Sequence, residues 1–308
     1  MFLKTVSTRS LILSLSLLFI TLSFSIAQVR VDSERDKDGN VLIFATNTES
    51  IPYSVILNFS TLQNLTTPGG GNVTAIAPPG RSQLTRLKPT LAGQATSYNY
   101  SYSFAKGNVF AKSKGDPIYL IPVVPGTKVT AIQMVHLENR LGTNRSNDKY
   151  VGLSFRFETH TQIVAPRKGI IVEVKMDNQD LKENLDFTKS ENHIEIYHED
   201  GMITKLMVLK AGTAKVKVGD VVFPGDVLAE SAGENYRSGL HVRVVTLRTE
   251  KDGVDKFKYT VIPVKFSTTA GNIEISQILE LEVAHPKEII ELEMTKKELK
   301  KYQAVGQL

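Results

Sequence analysis

Apolar and polar residues alternate one for one over many short stretches of this chain, and few apolar runs recur at helical spacing. That period predicts a mostly β protein. After a polar lead over 32–40, β-rich runs fall at 41–46, 53–59, 83–87, 96–104 and 118–123. Turn clusters at Pro68-Gly69-Gly70-Gly71, Pro78-Pro79-Gly80 and Lys114-Gly115-Asp116-Pro117 separate them. Short strands with this punctuation predict an immunoglobulin-like β-sandwich over residues 28–125. Tyr98, Tyr100, Tyr102 and Phe104 alternate with small polar residues, so that strand has one aromatic face. Packing into the sandwich core is the plainer reading of the stripe, and a platform for stacking sugar rings is its rival.

Pro125-Gly126 opens a second unit, in which β-branched runs return at 152–157, 162–174, 193–198 and 203–209. A polar, acidic excursion from Asp177 to Glu191 interrupts them and reads as an exposed loop or flap over one end of a sheet. The valine, glycine and acid rhythm from Val216 to Asp226 predicts a tight hairpin with two glycine turns. Further strands are expected at 261–266 and 273–283. Thr295 with Glu298 fits a capping box, so the chain should end in a short basic helix. The predicted organisation is a leader over 1–27, the sandwich over 28–125, a second β unit over 126–248, and strands plus a helix over 249–308.

The leader is read from Lys4 and Arg9, an apolar run from Leu11 to Ile20, and Ser25-Ile26-Ala27 ahead of Gln28. That is the order of a cleavable export signal, which places the mature chain in the periplasm, outside the cell or at the envelope. A retained membrane anchor is the alternative, but the run is short for a bilayer span and contains serines. No membrane-spanning segment is expected after cleavage. The chain has no cysteine, which excludes disulfides and thiolate metal sites. Its 37 basic and 32 acidic residues are interspersed, with no basic block of the kind that tracks nucleic acid. Neither a phosphate-binding glycine loop ahead of a helix nor a Gly-x-Ser-x-Gly elbow is present.

Several landmarks of the second unit stand in order. They are Ser154-Phe155 followed by Thr161, Ile163, Ala165 and Gly169; Asn192 to Gly201; Lys217-Val218-Gly219-Asp220; and Gly239-Leu240-His241. From about Lys149 to Val245 the chain therefore resembles the lysostaphin/LytM-type zinc endopeptidases, which cleave peptide cross-links in bacterial cell walls. The resemblance implies a LytM-like β-sheet domain of the duplicated hybrid motif type. The preceding residues look like the accessory β-domain of some secreted members.

The same resemblance places the zinc ligands, and this chain departs from each of them. The aspartate position falls on Ser154. The first histidine falls on Tyr150, or near Asn144 and Arg145 in relatives with longer spacing. The second histidine of His-x-His falls on Arg243, and the further catalytic histidine on Val208. Only His241 survives. Arginine has no lone pair to offer a metal and stays protonated. A unit charge about 4 Å from a divalent ion also costs on the order of 8 kcal/mol at an effective dielectric of about 20.

A relocated metal site is not expected either. His193 and His198 are five apart on a strand and point to opposite faces, while His136, His160 and His285 read as ordinary histidines. A nucleophile at Ser154 with His241 would lack an orienting acid. No cofactor is expected, and zinc enters only if unorthodox ligands support an active endopeptidase. The expected pocket is Tyr150, Ser154, His241 and Arg243, with Arg243 holding a carboxylate of a wall peptide or a partner. The expected function is an exported, inactive homologue that binds peptidoglycan or wall peptides, or regulates a cell-wall hydrolase. A structural envelope protein is the third reading. Groove binding requires an open pocket, and filling by the 177–191 excursion or the terminal helix would count against it.

Overall fold

The computed structural model describes residues 28–112, 115–134, 152–179, 182–188 and 190–305. The expected leader, His136, Asn144, Arg145 and Tyr150 lie outside the described residues.

The first unit contains β1 (Val29–Arg35), β2 (Val41–Asn47), β3 (Tyr53–Gln63), β4 (Leu65–Thr66), β5 (Asn72–Ala77), β6 (Gly80–Pro89) and β7 (Ser97–Lys106). Among the described residues these strands form sheets of order β1-β2-β6-β4 and β5-β3-β7. The chain changes sheet after each strand from β2 to β6, so the two sheets of the sandwich are built in alternation. Val41, Ile43 and Ala45 point inward at every second position of β2 and meet Val55, Leu57 and Phe59 of β3. Part of the expected polar lead is a strand instead: β1 buries Val29 and pairs along β2, while Arg81 bridges its outward Asp32 and Glu34. Tyr98, Tyr100 and Phe104 pack on the core and Tyr102 stays at the rim, so most of the aromatic stripe is structural.

The second unit begins with β8 (Ile118–Tyr119), β9 (Lys128–Gln133), β10 (Leu153–Arg156), β11 (Gln162–Val164) and β12 (Gly169–Lys175). It continues through β13 (His193–Tyr197), β14 (Met202–Met207), β15 (Val221–Val222), β16 (Val227–Glu230) and β17 (His241–Asp252). The last strands are β18 (Lys256–Val261), β19 (Lys265–Thr268), β20 (Gly271–Glu274) and β21 (Leu279–Glu282), followed by α1 (Lys287–Glu291) and α2 (Lys296–Val305). Among the described residues the main sheet runs β15-β12-β13-β14-β17-β10-β9-β21, with β18 paired to the far end of β17.

The hairpin expected over Val216 to Asp226 does not form. Its glycine turns are present, but β15 pairs with β12 and β16 with β11. Backbone hydrogen bonds from Gly219 N to Ile171 O and from Ile171 N to Asp220 O draw the segment onto the edge of β12. The capping box forms as expected: Thr295 N donates to Glu298 Oε2, and Glu298 N donates to Thr295 Oγ1. Arg167 and Lys168 then tie Glu293 and Glu298 of the tail to the second unit.

The two faces of the main sheet have different fates. Leu153, Phe155, Ile194, Ile196, Leu206, Val242 and Val244 point into the core of the second unit, which Tyr119, Ile121 and Phe266 complete. On the opposite face, Tyr197, Ile203 and Leu247 pack into the core of the sandwich. The sandwich thus covers one end of that face. Gly169 permits the close packing of β12 on β13, because a Cβ there would lie 2.5 Å from Ile196 Cγ2 and 2.6 Å from Tyr197 O.

Candidate functional site

Strand register brings the expected ligand positions together on the face that the sandwich partly covers. Ser154 of β10 lies opposite Arg243 of β17, Arg243 lies opposite Met207 of β14, and Met207 lies opposite His193 of β13. Directly opposed residues share a face, so these four side chains form one row across the sheet. His241, two residues before Arg243, heads the next row opposite Arg156. Val208 directly follows β14 with φ 67°, an outlier for a β-branched residue, and its side chain is buried beside Met207 and Tyr236. A backbone held this way stores strain of roughly 1–3 kcal/mol.

The pocket built on this row is closed. Ser154, His241 and Arg243 are 6%, 0% and 5% exposed. Arg243 Nη1 donates to Glu191 Oε1 at 2.6 Å and Nη2 donates to Asp186 O at 2.7 Å. The guanidinium also faces the Tyr236 ring at 5.2 Å, and Tyr236 OH donates to the same Glu191 oxygen. The acidic excursion is therefore more than an exposed flap. Lys182, Glu183 and Asn184 face solvent, while Leu185 packs with Met134, Met207, Val208 and Tyr236, and Glu191 is buried. Arg243 holds a carboxylate, as a cation at that position should, but the carboxylate belongs to the chain itself. Desolvation, the largest influence on Glu191, raises its pKa despite the opposing charge of Arg243.

His241 is held by Nδ1, which donates to Gly239 O at 2.7 Å and leaves the lone pair on Nε2. That nitrogen and Glu191 Oε2 are buried without a hydrogen-bond partner among the described residues. Burial, reinforced by the charge of Arg243, lowers the His241 pKa to about 4, so the ring is neutral at physiological pH. Gly233 makes room for it: a Cβ there would lie 3.0 Å from His241 Nδ1. No hydrogen bond joins Ser154 to His241 among the described residues, so no activated serine is assembled.

Zinc does not fit this row. Such a site needs three or four nitrogen, oxygen or sulfur donors about 2.0–2.3 Å from the ion. Arg243 has no lone pair and its charge opposes an ion, and with the guanidinium on Glu191 Oε1 the unpartnered buried donors beside the row are Glu191 Oε2 and His241 Nε2, fewer than zinc requires.

A second cluster escaped the sequence reading. Donor atoms of Glu173, His193 and Glu195 lie within 4.8 Å of one another. Lys106 Nζ, from the end of the sandwich strand β7, occupies the cation position between them, 2.5 Å from Glu173 and 2.7 Å from Glu195. Hydrogen bonding from His193 and from Lys106 outweighs desolvation and holds the Glu173 pKa well below the usual range. His198 lies apart from this cluster, as its odd spacing from His193 implies, bonded to Lys168 O and Thr204 Oγ1. The residues are distant in sequence, and only the β12-β13 pairing and the docked sandwich assemble them. Lys106→Ala should convert the cluster into a divalent-cation site. The check is thermal unfolding with and without added zinc: a zinc-dependent rise in Tm is expected in the variant and not in the parent protein.

The antiparallel sheet, with the landmark segments in order and the expected ligand positions aligned across β10 and β17, defines a peptidase-type β domain of the lysostaphin/LytM class. Residues 148–255 match the model of Peptidase family M23. Among solved structures, the chain is similar to the catalytic domain of lysostaphin from Staphylococcus simulans, at 24% identity. That match covers 35% of this chain and 71% of that one, with a TM-score of 0.26. A match to the SpoIIQ-SpoIIIAH pore forming complex has 20% identity, coverage of 46% and 89%, and a TM-score of 0.29. Csd3 from Helicobacter pylori matches at 11% identity over 90% of this chain and 83% of that one, with a TM-score of 0.31. No curated protein sequence matches the chain. No helix among the described residues is long and apolar enough to cross a membrane.

Proposed function

We propose that the protein is an exported, non-hydrolytic relative of the peptidoglycan-cleaving endopeptidases, serving the cell envelope by binding or by regulating a wall hydrolase. The pairing of Arg243 with Glu191 carries this reading. A guanidinium stands at a ligand position and takes one oxygen of the nearby carboxylate, so the row repels a cation and offers it fewer donors than zinc requires. His241 keeps a lone pair on Nε2, whereas the hydroxyl beside the ring, Ser238 Oγ, lies 3.3 Å from Nδ1, the nitrogen that donates to Gly239 O.

The closed pocket also moves ligand binding away from Ser154, His241 and Arg243, in favour of surfaces that remain exposed. The docked sandwich supports an interaction role, because the two units share buried side chains. Metal analysis of the purified chain, with digestion of isolated sacculi, tests the proposal. Zinc well below one ion per chain and no release of soluble wall peptides are expected. Stoichiometric zinc with chelator-sensitive release would overturn it and restore the active endopeptidase with atypical ligands.

A further inference from the structure

The main sheet ends on β21, and among the described residues no strand other than β9 pairs with it. Hydrogen bonds fix which backbone groups the edge leaves free. Val283 N donates to Thr127 O, so Leu281 and Leu279, at every second position back along the strand, also turn their N–H and C=O toward β9. The far side of β9 keeps the same phase: Met134 N donates to Gly152 O, which directs the even-numbered residues of β9 to β10. Glu280 and Glu282 therefore point their N–H and C=O groups away from the sheet.

The side chains of β21 divide between the two faces. Leu279 and Leu281 lie on the core face, Leu279 in line with Ala131 and Phe155. Both leucines are only half-buried, so the core layer ends there incompletely covered. Glu280 and Glu282 lie on the opposite face, exposed and without an ion pair among the described residues. Neutral Thr130 stands opposite Glu280 on β9, with Arg156 a strand further in, and Lys128 stands opposite Glu282.

We propose that this edge receives, by antiparallel strand addition, an extended segment of a partner protein in which basic and apolar residues alternate. An added strand lies about 4.8 Å outside β21, and its residues opposite Glu280 and Glu282 exchange hydrogen bonds with both of them. Directly opposed residues share a face, so those two positions take Lys or Arg, each beside a carboxylate. The positions between them fall on the core face, where apolar side chains cover Leu279 and Leu281. The edge also selects against its own kind. A second β21 would set Glu280 and Glu282 beside carboxylates, and like charges directly opposite repel. Charged side chains guard an edge against indiscriminate pairing, and acids do so while leaving a basic strand free to add. Glycans and nucleic acids lack the run of peptide groups that the edge pairs with.

The inference stands on the geometry of the edge and not on the non-hydrolytic reading, so zinc-dependent sacculus cleavage would remove that reading and leave this one in place. The test is fluorescence polarisation of labelled octapeptides with the full chain. Alternating Lys-Val should bind, and alternating Glu-Val at least about tenfold more weakly. In the antiparallel addition the lysine N–H groups face β21 and the valine N–H groups face away. N-methylation of the lysine amides should therefore abolish binding, while N-methylation of the valine amides should leave it within about threefold. Glu280→Lys/Glu282→Lys should reverse the preference between the two peptides, an outcome that misfolding cannot produce. Glu280→Pro removes a free donor without touching the β9 ladder, so it should weaken Lys-Val binding about tenfold with little change in Tm. Equal binding of Lys-Val and Glu-Val, indifference to the position of the methyl groups, or no binding at all would overturn the proposal. So would dimerisation of the parent chain that Glu280→Pro abolishes in sedimentation, which would give the edge to a second copy.

Discussion

Arg243→Met is expected to destabilise the protein by about 3–5 kcal/mol, because it leaves Glu191 as an uncompensated charge in a site closed to water. Both side chains are almost fully buried, and the contact is 2.6 Å. Adding Glu191→Gln should return most of that loss, since glutamine keeps an acceptor for Tyr236 OH while removing the charge. Urea unfolding of the two single variants and the double variant gives the coupling directly. A cost below about 1 kcal/mol for Arg243→Met, or additive losses in the double variant, would mean that the pair is not the plug described here. The same substitution removes a cationic neighbour of His241, so the imidazole should titrate at higher pH in the variant.

Stability should fall as the pH drops from about 6.5 toward 4. His241 is lowered to about 4 by burial and Arg243, and His198 to about 3 by burial and the charge of Arg167. The sign follows from proton uptake. Below 6.5 the unfolded chain protonates both rings while the folded chain keeps them neutral, so stability present above the unfolded value is lost on acidification. Each ring contributes a loss of about 2 kcal/mol by pH 5, at 1.36 kcal/mol per pH unit. Glu191 acts in the opposite sense because its folded pKa is raised, but only where the unfolded carboxylate has not yet taken up its proton. Urea unfolding at pH 7, 6 and 5 measures the slope. His241→Gln should reduce it by about half, whereas an unchanged slope would remove His241 as a source.

Both effects arise from residues whose positions were readable and whose partners were not. The alternating runs located most strands, the capping box located α2, and the family resemblance put Ser154 and Arg243 in one expected pocket before any pairing was known. The strand β1 was hidden because its outward positions are charged, and the Val216 to Asp226 turns were mistaken for a hairpin because local rhythm does not reveal that the free edge of β12 competes for their backbone groups.

The sequence by itself determined the β architecture, the family segment and the chemical unfitness of arginine at a ligand position, because period, turn residues and side-chain lone pairs are local properties. Only the tertiary structure decided that the old pocket is filled from within. Which carboxylate reaches Arg243, and which stays free, depends on pairings between strands and loops far apart in the chain. Glu191 and Arg243 are 52 residues apart in sequence and 2.6 Å apart in the fold.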